Sequence, residues 1–68
     1  MIIEEAFLYS EQNQAPIRHR LFLPEEYIVV TEQNVIMEDE DFMLSKKDFL
    51  KFRASSNIWK TDWEKHNN

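Results

Sequence analysis

Four consecutive carboxylates, Glu38, Asp39, Glu40 and Asp41, form the densest group of potential ligands in the chain. Clustered carboxylate oxygens are what a hard cation such as calcium takes up. The register of a calcium-binding loop fails here. With Asp39 at its first position and Asp41 at its third, Leu44 stands where the turn needs glycine and Leu50 where the closing glutamate belongs. The run therefore reads either as a solvated acidic turn or as an electrostatic contact surface, and no metal site is expected of it. Arg18 and Arg20 make the opposite offer. Two guanidinium forks projecting from one side of a strand could clamp a carboxylate or a phosphate, but Glu4, Glu5 or other strand neighbours are the expected partners. His19 shares its face with Ile17 and Leu21, which suits a half-buried packing residue better than a ligand or a base. No serine–histidine–aspartate spacing supplies a nucleophile for it, so no catalytic residue is assigned.

Asp62 and His66 stand four residues apart, a spacing that shares one face of a helix and would make an ordinary charge pair or, less simply, two ligands of a divalent ion. Trp59 and Trp63 have the same spacing. One of them is expected to complete the core against Phe49 and Phe52, which leaves the other to anchor a partner or a second copy of the chain.

Composition narrows these offers. The 68 residues include no cysteine, which removes thiol catalysis, redox motifs and disulfide staples. A structural zinc would have to use His19, His66 and carboxylates, a poor set for a closed site, and no cofactor is expected. Glycine is absent as well. Dinucleotide fingerprints and phosphate-binding P-loops need it where the backbone turns sharply or approaches a phosphate, so neither is available. Turns fall to Asn, Asp, Ser and Pro, with Asn34 the candidate for a positive φ. The N-terminal residues carry no basic region followed by an apolar stretch, and no apolar run nears membrane-spanning length; a cytoplasmic location is expected. A domain this small buries only about 60% of its unfolded surface, so self-association into a homodimer is the expected reinforcement.

The elements that must position these residues read as a single α+β domain over 1–68. Residues 1–44 are expected to be mainly β and acidic, and residues 45–68 mainly α, basic and aromatic. Residues 2–9 are rich in β-branched and aromatic side chains and predict a first strand. Pro16 introduces a second over 17–23, where Ile17, His19, Leu21 and Leu23 alternate with Arg18, Arg20 and Phe22. Residues 27–31 and 35–37 complete an antiparallel meander of three to four strands, turning at Glu32-Gln33-Asn34. Ser45 then has the spacing of an N-cap, with Asp48 three residues on, and opens a helix running to about Ala54. After Ser55-Ser56-Asn57 a second short helix is preferred over a strand, although Trp59, Thr61 and Trp63 also alternate.

Charge is sorted along the chain. Residues 1–44 hold ten carboxylates against Arg18 and Arg20, whereas residues 45–68 hold six basic side chains against Asp48, Asp62 and Glu64. Such a field selects partners and speeds encounters without performing chemistry. The expected function is therefore that of a non-enzymatic, acidic protein-binding module. Its partner would present a basic surface, and its contacts would be Glu25, Glu26, Glu38, Asp39, Glu40, Asp41, Trp59 and Trp63. An inhibitor or regulator of the kind carried by phages and mobile elements fits this description, since a file of carboxylates can occupy the positions that nucleic-acid phosphates take on a basic surface. The alternative is an accessory nucleic-acid-binding protein, with Lys46, Lys47, Lys51, Arg53 and Lys60 on phosphates and a tryptophan on a base. The net charge of −5 opposes it.

Overall fold

Residues 2–9 do not form a strand: Ile3–Asn13 is a helix, α1. The computed structural model describes residues 1–38 and 42–66. Within α1, the buried residues Ile3, Ala6, Phe7 and Ser10 recur at intervals of three and four, the spacing of one helical face. Glu4 and Glu5 occupy the first turn, where carboxylates meet the positive end of the helix dipole. The β propensity of Ile, Phe and Tyr is a weak preference that depends on what the side chains pack against, and here a single apolar stripe facing a sheet decides the matter. No side chain caps the start. The first turn is instead tied by backbone bonds: Ile3 N–H donates to the Lys60 carbonyl at 2.9 Å. The Met1 ammonium reaches the Trp63 carbonyl at 2.7 Å and Trp63 N–H returns to the Met1 carbonyl at 3.0 Å.

The rest of the chain builds a five-stranded antiparallel sheet from β1 (Ile17–His19), β2 (Ile28–Val30), β3 (Asn34–Met37), β4 (Met43–Ser45) and β5 (Trp63–Lys65). The strand order is β4-β3-β2-β1-β5. The meander thus loses its expected first strand to α1, gains β4 after β3, and recruits a fifth strand from the far end of the chain. A second helix, α2 (Lys46–Phe52), follows β4 directly. Its N-cap is as expected: the Ser45 hydroxyl accepts from Asp48 N–H at 3.1 Å. The second C-terminal helix is absent as such. Asn57–Trp59 makes a single 3-10 turn and only Trp63–Lys65 is strand, so neither the helical spacing nor the alternation of Trp59, Thr61 and Trp63 describes the whole segment. Strand elements thus occur in both halves of the chain.

Registers place Ile17, Ile28 and Met37 in one row, and Val30, Val35 and Leu44 in another, on the same face of the sheet. His19 and Trp63 are paired on that face. Against it pack Phe7 of α1 and Phe49 of α2, their rings 6.0 Å apart, so both helices cover one side and the core lies between. The opposite side carries Arg18 beside Glu64, and Val29, Ile36 and Met43 in a row across three strands. No described helix covers that row.

Without glycine, two non-glycine residues among those described take the left-handed region: Gln14, with φ 49°, closes α1, and Asp62, with φ 69°, precedes β5. Asn34 does not, contrary to expectation. The β2–β3 turn is held instead by Thr31, whose N–H donates to the Asn34 carbonyl at 2.8 Å while its Oγ1 accepts Asn34 N–H at 3.1 Å.

Candidate binding groove

His19 is the pivot around which the site is organised. Its ring is fully buried. Nδ1 accepts from Leu21 N–H at 3.1 Å and Nε2 lies 2.9 Å from the Ile58 carbonyl, an arrangement that puts the proton on Nε2. Both nitrogens are thus spent on backbone, and the imidazole serves to join the turn after β1 to the 3-10 turn. Trp59 lies against it with ring centroids 4.4 Å apart, and Phe22 stands 6.0 Å from Trp59. The Trp59 carbonyl accepts from Trp63 Nε1 at 2.7 Å, which fixes the backbone of the 3-10 turn over the core.

Phe22 and Trp59 wall one side of a groove of about 340 Å³ on the helix-bearing face of the sheet. Ile28, Met37 and Phe49 provide further apolar lining, and Phe42 adds an exposed ring. Three charged side chains also line it: Glu26, Glu38 and Arg53. Glu26 is positioned by its own loop, where Oε1 accepts from Leu23 N–H at 2.7 Å. The volume lies at the lower end of the range of about 300–1,000 Å³ typical of ligand pockets.

The structure brings three of the expected contact residues together here: Glu26, Glu38 and Trp59. Glu25 is exposed and does not line the groove. Asp39, Glu40 and Asp41 lie outside the described residues. Trp63 is corrected from contact to core. It is 2% exposed and set edge-on to Phe7 at 6.1 Å and to Phe22 at 5.6 Å, because β5 places it on the covered face beside His19. Phe52, expected inside, is 66% exposed, because α2 ends there and only Phe49 of that helix turns fully inward.

The two arginines pair within the molecule, as expected, but with neighbours on or beside β5 and not with Glu4 or Glu5. Arg18 pairs with Glu64 and Arg20 with Asp62 at 3.5 Å, since β5 pairs with β1 while Glu4 and Glu5 belong to a helix on the other side. Asp62 and His66 do not form a pair. Without a helix the four-residue spacing loses its meaning, and His66 lies against the Tyr27 ring at 4.8 Å with Nε2 3.2 Å from the Pro24 carbonyl. Among the described residues, no three His, Asp or Glu side chains gather as a metal would need, and no helix is long and apolar enough to cross a membrane.

Phe22, Met37, Phe42 and Arg53 escape sequence reasoning as groove residues. Phe22 carries the one usable signal, a large aromatic on the strand face assigned to solvent, just before Pro24. Compared with known proteins, the chain matches no protein family, no curated protein and no solved structure.

Proposed function

We propose that the protein is a non-enzymatic interaction module that engages a basic surface of another macromolecule and acts there as an inhibitor or regulator. The observation that carries this reading is the joining of Glu26 and Glu38, two carboxylates against the single cation Arg53, to an apolar groove walled by Trp59 and Phe22. Interface centres are enriched in aromatic side chains and surrounded by polar groups, and like-signed carboxylates around such a centre select a partner of opposite charge. The sorted charge works in the same direction. Arg18 and Arg20 are neutralised by Glu64 and Asp62, so no arginine of the acidic half offsets its carboxylates toward a partner. Imitation of nucleic-acid phosphates by those carboxylates remains the form of inhibition we favour.

The test is affinity capture at low and high salt with the native protein and with Glu26→Lys/Glu38→Lys. A basic protein held at low salt, released by salt and missed by the charge-reversed variant supports the module. Retention on DNA or heparin with no protein partner would favour nucleic-acid binding instead. That alternative draws on Phe52, exposed on α2 with the Lys51 ammonium 5.2 Å from its ring, a pair suited to stacking and phosphate contact.

The uncovered row of Val29, Ile36 and Met43 supports a second copy as partner on the opposite face of the sheet. In the proposed homodimer this row is buried, and Ile36→Glu should shift sedimentation from dimer to monomer without loss of folding. A native protein that sediments as a monomer at every concentration would remove the dimer from this reading.

A further inference from the structure

We infer that the groove takes one bulky apolar side chain of the partner, presented beside lysine or arginine on the same segment. This rests on the reading of the protein as a module for basic partners and names what such a partner inserts. The bottom of the groove is built from core residues, Ile28 at 1% and Phe49 at 3% exposure, so its deepest surface is hydrocarbon. An ammonium or guanidinium pushed there would lose its hydration without a buried counter-charge, a cost an apolar side chain does not meet. The carboxylates of the lining suit the neighbouring cations. Glu26 is only half-buried, with Oε1 engaged by Leu23 N–H and Oε2 left over, and Glu38 is exposed. Charge complementarity thus belongs to the mouth of the groove and apolar complementarity to its floor.

The walls are preorganised. Trp59 is held from behind by His19 at 4.4 Å, and its backbone is pinned by Trp59 N–H to the Ser56 carbonyl at 3.0 Å and by its carbonyl to Trp63 Nε1. A wall fixed before binding needs little ordering when the anchor arrives, which is where much of the affinity of a small contact is otherwise lost. Arg53 is the C-cap of α2, whereas Glu26 comes from the β1–β2 connection and Glu38 directly follows β3. The charge around the lining is therefore uneven, and it favours a segment whose cations approach from the sheet end of the groove.

The experiment uses the full chain, isotope-labelled for NMR, titrated with a blocked peptide of sequence Lys-Lys-Phe-Lys-Lys. Two controls replace Phe by Ser or every Lys by Ser. The expected result is saturable shifts at the Trp59 indole and the Met37 methyl, with the Ser-for-Phe peptide at least about tenfold weaker. Binding should fall severalfold between about 50 mM and about 500 mM NaCl. Phe42→Ser, which changes an exposed ring and leaves the core intact, should weaken the peptide with the amide spectrum otherwise preserved. No shift at about 10 mM peptide, equal binding of the Ser-for-Phe peptide, or equal binding of the lysine-free peptide each overturns the inference. If a salt-sensitive basic partner is captured equally well by the native protein and by Phe42→Ser, the anchor fails while the module stands. If the peptide binds as described and no basic macromolecule is captured, the module fails while the chemistry of the groove stands.

Discussion

Among the described residues, Ser10 and His19 are the two polar residues fully buried in the core, and each is there because backbone groups need it. Ser10 sits on the sheet-facing side of α1. Its hydroxyl donates to the Ala15 carbonyl at 2.6 Å and accepts from Val30 N–H at 2.8 Å, filling a gap where β1 and β2 share only the Ile17–Ile28 pair. Ser10→Ala leaves the buried Val30 N–H and the partly buried Ala15 carbonyl without this partner, at about 1–3 kcal/mol for a buried group in the limit where no water enters. For a domain of this size that is a large part of the total. Urea unfolding should show a midpoint lowered accordingly, and a shift of less than about 0.5 kcal/mol would mean that water replaces the hydroxyl. The tryptophans separate in the same measurement. Trp63→Ala removes a side chain packed on Phe7, His19 and Phe22 and should cost about 3–5 kcal/mol, enough to unfold the domain. Trp59→Phe should leave it folded, with a loss of about 1–2 kcal/mol, because Trp59 has one side on the groove. That one tryptophan completes the core was legible in the sequence; which one depended on β5, whose hydrogen-bonded partner lies more than forty residues away.

Elements were legible where the signal is local. Ser45 with Asp48 marked the start of α2, and the alternation around Ile17 and His19 marked β1, because a cap and a two-residue period need no information from the rest of the chain. α1 was not legible as a helix, since Ile2, Ile3, Phe7 and Tyr9 satisfy a strand pattern until the sheet is present to select the stripe Ile3, Ala6, Phe7 and Ser10. Its end carries a testable cost. Gln14 holds φ 49°, a region where a Cβ crowds the following carbonyl and which glycine enters freely. In a chain without glycine this is a position where Gln14→Gly should stabilise, by about 0.5–1 kcal/mol after the extra freedom of the unfolded chain is counted. Thermal unfolding would read this as a rise of a few degrees, and a fall would mean that the added freedom of the unfolded chain outweighs the relieved backbone strain. The sheet edges matter to function as well. Trp63 exchanges backbone bonds with Met1, and β4 is three residues long and runs straight into α2, so neither edge offers an extended template for strand addition. The proposed partner would therefore meet side-chain surfaces and not a sheet edge.

At the scale of the molecule, the exceptions in each half of the chain cancel one another. Arg18 and Arg20 in the acidic half pair with Glu64 and Asp62 in the basic half, and Lys46 reaches Glu11 at 3.2 Å. Exposed pairs of this kind contribute little stability, about 0–1 kcal/mol each, so their main effect is on the field. Glu4, Glu5, Glu25, Glu32 and Glu38 remain exposed and form no ion pair with a described residue. Their mutual repulsion destabilises the compact state and is screened by salt. Thermal unfolding of the free protein should therefore move upward by a few degrees between about 50 mM and about 500 mM NaCl. Attraction between the same carboxylates and a basic partner is screened over the same range, so capture should fall as stability rises. The opposed slopes separate the two causes of lost binding: a partner released by salt from a protein that has become more stable is released by screening and not by unfolding. If stability falls with salt instead, the pairs of Arg18, Arg20 and Lys46 outweigh the repulsion, and the acidic half is neutralised within the molecule before any partner meets it.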